Sequence, residues 1–191
     1  IMKVGLYFGS FNPLHLGHKI IASYIAEFTD LDRVTFVVSP QNPLKEKKDL
    51  IDQSTRLQII KSEIKGVKNL EVTDIEFNMP NPSYTIDTLL TLKEKNPKNE
   101  FCLIMGADNF ENIHMWKNFK QILENYTIYV YPRNGIIVKR NQKNIMVLHD
   151  MPQIDISASF IRKKIYEGKD VSYLMPEKAW EYIDKMKPYK K

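Results

Sequence analysis

The chain has 191 residues, 28 basic and 23 acidic, with a formal charge of +5 and a sequence pI near 9.1. Apolar residues at 43% and charged residues at 27% suffice for the core of one ordinary domain and exclude a disordered chain. A single cysteine, Cys102, excludes an intramolecular disulfide framework and a cysteine-rich zinc site. Its FCLIMG setting predicts a packed thiol rather than a reactive one. The basic excess is uneven. Residues 160–191 hold 9 basic and 5 acidic side chains, so the rest of the chain is almost neutral. No basic stripe interleaves with aromatics, as a nucleic-acid surface requires. The KMKPYKK end reads as a solvated tail.

In chain order, residues 3–8 form the first strand candidate, followed by GSFNPLHLGH at 9–18 and a helix over 16–28. In that helix Leu16, Ile20, Ile21, Tyr24 and Ile25 recur at helical spacing. A strand at 33–39 leads into the polar loop 40–50, whose two prolines mark a candidate mobile lid. Then come a helix at 53–65, a strand at 70–77, a helix at 84–95 and a strand at 100–105. A helix at 118–124 and strands at 127–131 and 145–148 complete the alternating part. Beyond residue 156 the pattern is helical only, at 158–167 and 176–186. Such alternation predicts an α/β fold: a mostly parallel sheet with helices on both faces and a small C-terminal helical segment. Residues 1–191 read as one domain, with 156–191 as its helical subdomain.

No apolar run approaches the ~20 residues that span a bilayer. The amino end is broken by Gly9, Asn12-Pro13 and the histidines too early for a signal peptide. Met2 reads as the natural start with Ile1 added before it, and a cytoplasmic location is expected.

Open parallel sheets bind ligands beyond the carboxyl ends of their strands. At the first such end, Gly9 permits a tight turn and close backbone approach, and Asn12-Pro13 turns the chain into a helix opened by His15-Leu16-Gly17-His18. Two imidazoles three residues apart beside unpaired helix N–H groups make an anion site with added donors. The spacing is not that of an HExxH zinc helix, a GxGxxG fingerprint or a Walker A loop.

The string GSFNPLHLGH resembles the signature of the HxGH nucleotidyltransferase superfamily. ISASFIR at 156–162 is similar to its second signature, with Ala158 where a hydroxyl residue is commoner. SPQNPLK at 39–45, SYTIDTL at 83–89 and GADNFENIHMW at 106–116 resemble landmarks of the bacterial nicotinate-nucleotide adenylyltransferases. That resemblance implies a Rossmann-like fold and transfer of AMP from ATP to nicotinate mononucleotide, releasing pyrophosphate. It implies magnesium carried mainly on the ATP phosphates and no metal site of the protein's own.

It also assigns residues. His15, His18 and Arg162 are the expected catalytic group. Gly9, Ser10, Phe11, Lys45, Gly106, Asp108, Ser157 and Ser159 are expected around ATP. Thr85, Trp116, Lys117 and Arg133 are expected around the mononucleotide, with Asp87 ordering its segment. Asn134 replaces the usual proline after Arg133. The chemistry suits these roles, since Trp116 offers a stacking face and Ser157 or Ser159 can cap a phosphate-facing helix. Nicotinamide mononucleotide or phosphopantetheine remains an alternative acceptor. A nucleic-acid-binding module and a non-catalytic nucleotide sensor are rivals of other classes. No membrane or nucleic-acid partner is expected, and a homo-oligomer stays open.

Overall fold

The computed structural model describes residues 1–40, 50–133, 135–136, 138 and 143–189. Six parallel strands form one sheet in the order β3-β2-β1-β4-β5-β6. They are β1 (Lys3–Gly9), β2 (Arg33–Val38), β3 (Leu70–Thr73), β4 (Glu100–Gly106), β5 (Ile128–Tyr131) and β6 (Ile145–Val147). The helices are α1 (Leu16–Phe28), α2 (Gln53–Glu63), α3 (Thr85–Lys95), α4 (Ala107–Glu111), α5 (Phe119–Asn125), α6 (Ala158–Tyr166) and α7 (Glu177–Met186).

The central strands are buried on both faces, as their unbroken apolar runs predict. Side-chain alternation then divides the core. Phe101, Leu103 and Met105 of β4 and Ile128 and Val130 of β5 pack with Ile86 and Leu89 of α3 and Ile122 of α5. Cys102, Ile104, Tyr129 and Tyr131 face the other way, towards Ile21 and Ile25 of α1 and Leu57 and Ile60 of α2. Ile161 and Ile165 of α6 and Ala179 and Ile183 of α7 belong to that second cluster. The C-terminal helices therefore share the core of α1 and α2. Cys102 is fully buried, and burial pushes its thiol up to about 12.

Three expectations are corrected. The strand expected at 70–77 stops at Thr73, and Ile75–Asn78 forms a 3₁₀ turn. The turn buries the Glu76 carboxylate, which accepts hydrogen bonds from Ser83 (2.9 Å) and Thr88 (2.7 Å); alternation in a strand carries no such information. The short helix α4 directly after β4 was not foreseen, because five residues are too few for a periodic signal. Finally, the end of the chain is not simply a solvated tail, because Tyr189 is buried in the α1/α2 cluster.

The order of strands reverses between β1 and β4, the neighbours that begin the two halves of the sheet. Their carboxyl ends open at the position where such sheets bind ligands.

Candidate active site

The segment after β1 does not turn at Gly9. Gly9 stays in the strand, paired with Val38, and the left-handed residue is Phe11 with φ 48°. The glycine is needed because a Cβ there would lie 2.8 Å from the Phe11 ring. Phe11 is buried and stacks edge-on against His18, Tyr7 and Phe36. Its side chain thus belongs to the floor beneath the loop, which restricts any ligand contact there to the backbone.

His15 is the N-cap of α1. Its Nδ1 accepts from the His18 N–H at 3.4 Å, and His18 Nδ1 accepts from the His15 N–H at 3.3 Å. This reciprocal capping box stacks the two imidazoles with centroids 3.6 Å apart. With both Nδ1 atoms accepting, the ring hydrogen of each imidazole is assigned to Nε2. Burial and the nearby Arg133 hold the His15 pKa down to about 3, so this imidazole is neutral at pH 7. Gly17 leaves room for the arrangement, since a Cβ there would approach His15 Nδ1 to 2.9 Å.

Ser157, rather than Ser159, caps α6, accepting from Phe160 N–H at 3.2 Å. Arg162, one turn further on, donates through Nη1 to the Asn12 carbonyl (2.7 Å) and through Nη2 to Ser159 Oγ (3.5 Å). Residues 150 positions apart in sequence thereby meet at one loop. Across the sheet, Asp108 and Arg133 pair at 3.6 Å. Gly106 makes this possible, because a Cβ there would strike Asp108 Oδ1 at 2.4 Å. That oxygen is buried and accepts no hydrogen bond among the described residues.

A cleft of about 490 Å³ lies beside the loop. Gly9, Ser10 and Ser39 form one wall, Ser83, Tyr84 and Thr85 the second, and Asn109, Met115, Trp116 and Lys117 the third. Thr85 is the first residue of α3, while half-buried Trp116 also packs against the β4/β5 core. The Lys117 ammonium pairs with Asp87 (2.8 Å) and sits over the Tyr84 ring (4.8 Å). Asp87 therefore ties the second wall to the third.

Gly9, Ser10, Thr85, Trp116 and Lys117 thus share one cleft, with His15, His18 and Arg162 grouped by the adjoining loop. Lys45, with residues 41–49 of the expected lid, and Asn134 lie outside the described residues. Among the described residues, no group of three or more His, Cys, Asp or Glu side chains could hold a metal ion, and no helix is long and apolar enough to cross a membrane.

Three participants escaped the sequence reading. Glu76 lines the cleft while holding Ser83 and Thr88. Buried Arg56 donates to the carbonyls of Ser10, Ser39, Pro40 and Ile51. The Tyr189 hydroxyl donates to Asn12 Oδ1. Only Arg56 left a usable signal, since it falls in helical register with Leu57 and Ile60 on the apolar face of α2.

The Cytidylyltransferase-like family matches residues 6–164. A Flavobacterium johnsoniae protein named "Probable nicotinate-nucleotide adenylyltransferase" is 49% identical over 195 residues, covering 100% of both chains. The chain belongs to this adenylyltransferase family. A second relative bearing that name, from Christiangramia forsetii, is 46% identical over 98% of each chain. The family fold is also clear from a solved structure, the Plasmodium falciparum nicotinic acid mononucleotide adenylyltransferase complexed with NaAD. It superposes with a TM-score of 0.84 over 99% of this chain and 98% of its own, at 19% identity. The same enzyme complexed with APC gives a TM-score of 0.80 at 18% identity over the same shares of the two chains.

Proposed function

We propose that this family member transfers the adenylyl group of ATP to nicotinate mononucleotide, giving nicotinate adenine dinucleotide and pyrophosphate. The observation that carries the reading is the stacked His15–His18 pair at the amino end of α1, beside a cleft walled by Thr85 and Trp116. A relative 49% identical along the whole chain bears the name of that activity.

The mononucleotide phosphate is ionised at neutral pH and can attack the α-phosphorus of ATP directly. A new P–O bond forms as the bond from the α-phosphorus to the bridging oxygen breaks, and the electron pair leaves with pyrophosphate. No covalent enzyme intermediate and no strong general base are needed, so catalysis consists of alignment and charge stabilisation. Neutral His15 and the stacked His18 supply Nε2–H donors to the triphosphate, with backbone N–H groups from Gly9 to Phe11 nearby. The Ser157-capped end of α6, Ser159 and Arg162 take the β- and γ-phosphates. Asp108, with its orphan oxygen over Gly106, accepts from a nucleotide hydroxyl. Trp116 stacks on the pyridine ring, and Thr85 with backbone donors near Lys117 meets its carboxylate. Arg133 adds positive potential between Asp108 and His15. Magnesium arrives as part of the MgATP substrate.

Pyrophosphate release with MgATP and a panel of acceptors tests the reading. Release is expected with nicotinate mononucleotide and much less with nicotinamide mononucleotide or phosphopantetheine. A preference for the amide overturns the acceptor assignment, and no release with any mononucleotide overturns the activity.

A further inference from the structure

A buried polar junction lies beneath the loop that follows β1, outside the cleft lining. Asn12, 4% exposed, receives three elements of the chain. Its carbonyl accepts Arg162 Nη1 (2.7 Å), and its Oδ1 accepts both the Ile51 N–H (3.1 Å) and the Tyr189 hydroxyl (2.7 Å). Beside it, Arg56 is 1% exposed, and its four bonds, at 2.6–3.0 Å, all end on backbone carbonyls. Two of those carbonyls, Ser10 and Ser39, belong to the residues that follow β1 and β2. The Ser39 N–H closes the pair by donating to the Gly9 carbonyl at 2.9 Å. Burial lowers the Arg56 pKa to about 10, with Asp52 and Tyr189 opposing that shift, so the guanidinium stays charged at neutral pH.

This arrangement costs desolvation of a cation and a carboxamide, and a plain packing role would be met by apolar residues. Its effect is to pin residues 10–12, three residues before His15, from two directions. Pro13 and Leu14 then carry the chain straight into the cap of α1.

We propose that Tyr189 and Arg56 are positioning residues for adenylyl transfer, holding residues 10–12 so that His15 and His18 meet the triphosphate. The proposal rests on the reading that the 9–18 loop engages ATP. Its sharpest probe is Tyr189→Phe, which removes the hydroxyl and keeps the buried ring.

Steady-state kinetics of the full chain, varying MgATP and nicotinate mononucleotide separately, provide the test. Loss of one ordinary hydrogen bond predicts roughly a fivefold fall in kcat/KM for ATP in Tyr189→Phe, with KM for the mononucleotide unchanged. Arg56→Lys should lose more, about tenfold or beyond, because one ammonium cannot span four carbonyls. If Arg56→Lys does not fold, Tyr189→Phe decides alone. Wild-type ATP kinetics in Tyr189→Phe, or a rise in KM for the mononucleotide as large as that for ATP, overturn the proposal. His18→Ala separates the two levels. Normal ATP kinetics in His18→Ala refute the loop reading and the proposal with it, whereas an impaired His18→Ala beside a normal Tyr189→Phe refutes the proposal only.

Discussion

The two ends of the sheet treat charge differently. At the amino ends of β1, β4 and β5, charges close on one another. Lys3 pairs with Asp30 (2.6 Å) and approaches Glu100 (3.8 Å), while the Tyr129 hydroxyl donates to Asp30. These bonds hold the Asp30 carboxyl below its usual range. At the carboxyl ends, the cations Arg56 and Arg162 bind backbone carbonyls, Arg133 faces Asp108 at 3.6 Å, and one buried oxygen of Asp108 accepts no hydrogen bond among the described residues. One end spends its polar groups on the fold. The other leaves two guanidinium groups on carbonyls rather than carboxylates, which preserves positive potential of the kind that the proposed triphosphate site needs.

The largest effect that could break this contrast concerns His18. Replacing it with alanine should lower kcat by roughly 10²–10³, the cost of losing a donor to developing transition-state charge. The melting temperature should change little beside that loss. A variant with near-normal turnover would remove the carboxyl end's claim to catalysis.

The next prediction is a pH profile. The folded protein keeps His15 unprotonated down to about pH 3, whereas the unfolded chain takes up a proton near 6.5. Acidification through that window favours unfolding, so stability should fall between pH 6.5 and 3, by about 2–4 kcal/mol from this residue. Thermal melts of His15→Asn should show a shallower dependence than wild type. Equal steepness would assign the acid loss elsewhere, to carboxyls such as Asp30 and Asp52 whose pKa values are lowered in the fold.

The smallest effect belongs to the amino end. Asp30 is 64% exposed, so its pairing with Lys3 is screened by water. Asp30→Asn should lower the melting temperature by no more than about 4 °C and leave kcat and both KM values unchanged. A change in KM for ATP would show that the two ends are coupled, and the contrast would need redrawing.

Much of this was legible in the residues because it is local. Strands such as 100–105 announce themselves as continuous apolar runs, and the 9–18 segment carries its turn and both histidines within ten positions. The Ser157 cap is local as well, and it falls within the segment singled out for it. Features that depend on distant partners were not legible. The end of β3 at Thr73 follows from a carboxylate that meets Ser83 and Thr88 further along the chain. The glycine at position 9 was read as a turn, whereas it makes room for a ring two residues ahead. Tyr189, read with the basic residues around it as solvated, docks on a side chain 177 residues away.

The sequence by itself therefore determined the alternation of strands and helices, the α/β class, and the two segments proposed to flank the reacting phosphates. Periodicity and turn chemistry act within a few residues, and these features need nothing more. Tertiary structure alone decided the state of the groups within the site. Desolvation holds His15 neutral, Arg56 and Tyr189 become buried struts, and an oxygen of Asp108 is left without a partner among the described residues. Burial and hydrogen-bond partnership are properties of residues brought together from across the chain, and they set both pKa and position.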